Sequence, residues 1–113
     1  MTLTEFLCAI KQPGYQFADT LAFIDHHYQY TPCAFENGAL HNPVGSNQGS
    51  CKILGLALLE NLSNHDALLA FGEHYQHVLA TPNQTDHANI RQLLQNGLAA
   101  VQFTQLPLSR LIV

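Results

Sequence analysis

Apolar residues recur at helical spacing almost from the first position: Leu3, Phe6, Leu7 and Ile10 lie on one face and predict a helix. Thr2 and Glu5 stand where a capping box needs them, each side chain satisfying a free backbone N–H, and Pro13-Gly14 ends the helix. Phe17, Leu21, Ile24 and Tyr28 predict a second amphipathic helix, with Asp19, Asp25 and His26 mostly off its apolar face. The period then changes. Thr31-Pro32 forces extended backbone, and residues 33–35 and 39–41 flank Glu36-Asn37-Gly38, a turn sequence that tolerates positive φ. Two short antiparallel strands are expected there, followed by a loop over residues 43–49.

Ile53, Leu54, Leu56, Ala57, Leu58 and Leu59 are apolar nearly all round, which predicts a central buried helix, N-capped by Ser50. Ser63, three residues before Asp66, caps one longer helix carrying Ala67, Phe71, Tyr75 and Val78 inward, and Thr81-Pro82-Asn83 stops it. A fifth helix, capped by Thr85 or Asp86, uses Ile90, Leu93, Leu94 and Leu98 and ends at Asn96-Gly97. Alternation over 99–104 predicts a last strand, and the apolar tail 106–113 should pack back onto the domain, meet a partner, or be a disordered liability. The sum is an α+β fold of about five helices with two or three short antiparallel strands. It forms a single compact domain over residues 1–113, since 113 residues leave room for one core.

Composition narrows the function. Charged residues make up only 11% of the chain against 47% hydrophobic, so disorder is excluded and solvation falls to amides, hydroxyls and seven histidines. Net charge is −4, and the fixed cations are Lys11, Lys52, Arg91 and Arg110. Four scattered cations make neither a phosphate-tracking surface for nucleic acid nor a polybasic patch for a membrane. Cys8, Cys33 and Cys51 form no C-x-x-C pair, which fits reduced thiols. With no secretory signal and no stretch long enough to span a bilayer, a cytoplasmic protein is expected.

The polar stretch from Asn37 to Lys52 holds the chemistry. Cys51 near a helix start, beside Lys52, would have a lowered pKa and could act as a nucleophile, with His87 as base and the Gly49 and Ser50 amides facing an oxyanion. Gly49-Ser50-Cys51 and Asp86-His87-Ala88 resemble fragments of papain-like cysteine proteases, but residues 88–91 continue as helix here instead of strand. The bland alternative is a buried cysteine beside a helix cap. Asn37, Asn42, Asn47, Ser50, Lys52, Asn89 and Arg91 could instead line a pocket for a small anion at a helix N-terminus, unless the asparagines serve only their own turns. His74 and His77 share a helix face with Glu73 adjacent, and His26, His27, His41 and His87 are further imidazoles. No metal-ligand motif is present, so neither a metal nor a cofactor is assigned.

Tyr30-Thr31-Pro32, Phe35-Glu36-Asn37-Gly38, Asn42, Gly45-Ser46-Asn47 and Gly49-Ser50-Cys51-Lys52 resemble the pattern of the HopJ (HopPmaJ) type III effector family. Phe71-Gly72, Tyr75, Asp86-His87-Ala88-Asn89-Ile90-Arg91 and Asn96-Gly97 extend the resemblance through most of the chain. It implies a bacterial, effector-like protein and brings no catalytic residue with it. The expected function is a small domain that binds a polar ligand or a protein partner. The alternative is a Cys51/His87 hydrolase or transferase. Type III substrates usually carry a flexible N-terminal export segment, whereas a capped helix is predicted from Thr2, so poor export is expected.

Overall fold

The computed structural model describes residues 1–111. Its first helix, α1 (Leu3–Ala9), begins with the capping box: Thr2 Oγ1 accepts the Glu5 N–H at 3.1 Å and Glu5 Oε1 accepts the Thr2 N–H at 2.8 Å. In α2 (Phe17–His27), Phe23 and Ile24 are buried, and the Phe23 ring stacks on Phe6 at 4.4 Å between centroids. The helix ends one residue before Tyr28, which opens a strand, β1 (Tyr28–Tyr30). That strand pairs antiparallel with β5 (Leu108–Arg110), with Gln29 opposite Ser109. The apolar tail therefore does pack back onto the domain. Its last two residues, Ile112 and Val113, lie outside the described residues.

The predicted hairpin forms further along than expected, by two residues in its first strand and one in its second. It joins β2 (Phe35–Asn37) to β3 (Leu40–Asn42) through Gly38 and Ala39, with Asn37 opposite Leu40. Asn37 is thus a strand residue, fully buried, and not part of the turn. The predicted last strand, β4 (Val101–Phe103), pairs with the other edge of β2, giving the order β3-β2-β4, and the Phe35 and Phe103 rings stack at 4.9 Å.

The run that is apolar all round becomes α3 (Gln48–Glu60), whose Ile53, Leu54 and Leu56 have no exposed surface. Its start differs from expectation. The N-cap is Asn47, in the left-handed conformation at φ +50°, so Ser50 lies one turn inside the helix. Ser63 caps as predicted, accepting the Asp66 N–H at 3.0 Å, but the expected single long helix is two: α4 (Asn64–Leu69) and α5 (Glu73–Ala80). Gly72 divides them at φ +58°, and a β-carbon there would collide with the backbone of Gln16 and Phe17. Glu73 completes this junction by accepting the Phe17 N–H at 2.6 Å. The last helix, α6 (Ala88–Asn96), takes its N-cap from His87 instead of Thr85 or Asp86, again left-handed at φ +52°, and a short 3₁₀ turn (Leu98–Ala100) leads into β4. No helix among the described residues is long and apolar enough to cross a membrane.

Candidate functional site

Two helices begin at one cavity. α3 and α6 both start from a left-handed, non-glycine N-cap residue whose side chain does not cap the helix. Asn47 Nδ2 donates to Asn42 Oδ1 at 2.7 Å, and the His87 imidazole is 3.9 Å from Asp86 Oδ2. Among the described residues, no acceptor stands against the amides of Gln48, Gly49 and Ser50, or of Ala88 and Asn89. Side chains, water or ligands satisfy such amides. Here Gly49, Ser50, Ala88 and Asn89 line a cavity of about 350 Å³, together with the two N-cap residues Asn47 and His87. The positive ends of two helix dipoles therefore share one concave space.

Aromatic rings form another part of the lining. Phe17 packs against Phe71, with centroids 6.4 Å apart, and edge-on against His74 at 4.7 Å; His74 lies over His87 at 4.9 Å. Phe17 reaches this position because residue 49 is glycine: a β-carbon there would meet the ring. Leu40 and Ile90 complete the apolar part of the lining.

Behind the cavity, four asparagines tie three segments together. Asn37 Nδ2 donates to the Asn89 carbonyl at 2.9 Å and to Asn89 Oδ1 at 3.0 Å. Asn42 and Asn89 exchange amide bonds, at 3.2 Å and 2.9 Å, and Asn47 joins through Asn42. Asn37, Asn42 and Asn89 are all buried, so these bonds replace water and fix α6 against the β2–β3 hairpin. Among the described residues, Asn37 Oδ1 has no hydrogen-bond partner.

At the rim, His77 Nε2 lies 2.9 Å from Asp86 Oδ2, and the His77 and His87 rings are 5.5 Å apart. Burial and the neighbouring His74 lower the pKa of His87, and the Arg91 hydrogen bond holds the Asp86 carboxyl below its usual value. Arg91 spends its guanidinium on the preceding loop. It donates to the Thr81 carbonyl at 2.8 Å and Oγ1 at 3.1 Å, and to the Asp86 carbonyl at 2.6 Å and Oδ1 at 2.7 Å.

The residues anticipated from sequence thus divide. Asn47, Ser50, His87 and Asn89 line the cavity, while Asn37 and Asn42 support it from behind. Lys52 lies elsewhere, with Nζ 4.8 Å from the centroid of the Tyr30 ring. The expectation of a lowered Cys51 pKa is reversed. Cys51 is 1% exposed, its amide is already bonded to Asn47 O, and its thiol donates to the Cys33 carbonyl at 3.6 Å. Burial pushes that thiol up, outweighing Lys52. No hydrogen bond joins Cys51 to His87 among the described residues, and Cys51 does not line the cavity. Sequence reasoning missed Phe17, Phe71 and His74 as lining, because their helical spacing reads as core or as surface.

The family model described as HopJ type III effector protein matches residues 3–108. A crystal structure of the unknown function protein VPA0580 is similar at 38% identity and a TM-score of 0.89, covering 97% of this chain and 94% of that one. No curated protein matches.

Proposed function

This chain belongs to the HopJ family, and on that premise we propose that it is a small binding domain for an organic anion carrying a planar or apolar part. One observation carries this reading: two helix N-termini without a side-chain cap meet at one cavity that is also lined by aromatic rings. Backbone amides and helix dipoles favour a carboxylate or phosphate group. The Phe17, Phe71 and His74 faces favour a ring or hydrocarbon beside it, and the volume suits a small molecule. With Arg91 and Lys52 engaged elsewhere, recognition falls to main-chain N–H groups together with Ser50 and Asn89.

Amide NMR of labelled protein titrated with inorganic phosphate, succinate and benzoate, with a chelator present, tests this. Resonances of Gln48, Gly49, Ser50, Ala88 and Asn89 should move together, and benzoate should also shift the Phe17 and His74 ring signals. Shifts absent from both helix starts, or spread evenly over the surface, would remove the reading. A hydrolase or transferase using Cys51 and His87 has less support, because the thiol faces Cys33 and lies off the cavity.

A further inference from the structure

We propose that His77, Asp86 and His87 form a binding site for a divalent first-row transition ion at the rim of the cavity. The inference rests on the geometry of these three side chains and is independent of the anion reading. One donor atom from each lies within 4.8 Å of the other two. His77 Nε2 is 2.9 Å from Asp86 Oδ2, and His87 Nε2 is 3.9 Å from the same oxygen. A tetrahedral ion with bonds of about 2.0–2.1 Å sets its donors about 3.3 Å apart. The observed separations straddle that spacing, so a small rotation of the imidazoles would close them onto one ion.

The donor set is specific in kind. Two imidazole nitrogens with one carboxylate oxygen suit zinc, iron, cobalt or nickel better than calcium or magnesium, which prefer more oxygens. Three protein donors leave coordination positions free. Since His87 also lines the cavity, an ion here would stand at its edge.

The surroundings are those of a held donor set. Asp86 is fixed by Arg91 through its carbonyl and through Oδ1, which leaves Oδ2 for the two imidazoles. Arg91 also anchors Thr81, so the whole 81–86 loop is tied to α6. His87 is flanked by the rings of His74 at 4.9 Å and His77 at 5.5 Å, and its backbone is in the left-handed region. Outer contacts of this kind orient ligands and raise affinity. The i, i+3 pair His74 and His77 visible in the sequence is thus not the ligand pair: His77 is joined by Asp86 and His87 across the loop.

Untagged, chelator-treated protein titrated with Zn²⁺ by calorimetry and with Co²⁺ by visible absorption tests the assignment. One ion should bind per chain, with cobalt d–d bands showing imidazole and carboxylate coordination. His77→Gln is the cleanest variant, since His77 is exposed and lies outside the hydrophobic core. It and His87→Asn, which keeps a residue tolerant of positive φ, should each weaken binding by about tenfold or more, while His41→Gln should leave it unchanged. Circular dichroism and melting would establish that the variants fold. No stoichiometric uptake, or affinity unaffected in a folded His77→Gln protein, would overturn the proposal. Loss of the metal would leave the amide shifts with phosphate or benzoate intact, so the two readings fail separately.

Discussion

Asn37, Asn42, Asn47 and Asn89 show how far single residues could be read. Their presence in a polar, turn-rich stretch points to the right region, and two of them line the cavity. That Asn37 and Asn42 are buried could not be read, because their partner Asn89 lies 52 and 47 positions away. The pKa direction of Cys51 was illegible for a related reason. Its neighbours in sequence suggest a helix start and a cation, whereas its neighbours in space are the Cys33 carbonyl and the hydrophobic core. A buried thiol with a raised pKa is a poor nucleophile. Iodoacetamide at neutral pH should therefore modify the exposed Cys8 rapidly and Cys51 only as fast as the protein opens. Mass spectrometry of timed samples checks this, and a Cys51 that outpaces Cys8 would restore the hydrolase reading.

Elements were legible where their signals are local. The α1 capping box, the Ser63 cap and the apolar run of α3 each depend on residues within one or two turns. Tyr28 was not, since its helical spacing with Ile24 competes with pairing to Arg110 across the chain, and the strand wins. Gly72 was hidden by an unbroken apolar period. Only the approach of α2 explains it, because the Gln16–Phe17 backbone fills the space a side chain would occupy. Gly72→Ala combines a left-handed backbone with that collision, each costing about 1–2 kcal/mol or more. Denaturant unfolding should show a loss of about 3 kcal/mol, and the amide of Phe17 should lose protection as its bond to Glu73 breaks. An unchanged midpoint would mean that the α4–α5 break is not fixed by this packing.

Across the whole molecule, carboxylates fasten distant segments. Glu60 of α3 pairs with Arg110 of β5 and accepts the Tyr28 hydroxyl at 2.5 Å, and Glu73 holds the start of α2. The Arg110 hydrogen bond lowers the Glu60 pKa, and the Phe17 N–H lowers that of Glu73, each from an ordinary 4.5. A carboxyl depressed on folding stabilises the native state above its unfolded pKa and loses that contribution as pH falls through the folded value. The melting temperature should therefore decline below about pH 4.5, and Glu60→Gln should lower it near neutrality while flattening the acid slope. Equal slopes for both proteins would contradict the assignment to Glu60.

The same long-range pairing bears on how the chain acquires its shape during synthesis. β4 completes one sheet against β2, and β5 completes the other against β1, so residues 101–110 supply the missing edge of both. Translation delivers those edges after the strands they pair with, residues 28–37. Until then the ribosome holds a chain whose β1 edge is open and whose β2 lacks a neighbour, with Phe35 and Val101 still to meet the core. Non-local pairings of this kind slow folding and prolong the exposure of apolar surface. Neither sheet is complete, therefore, until residues 101–110 have been made.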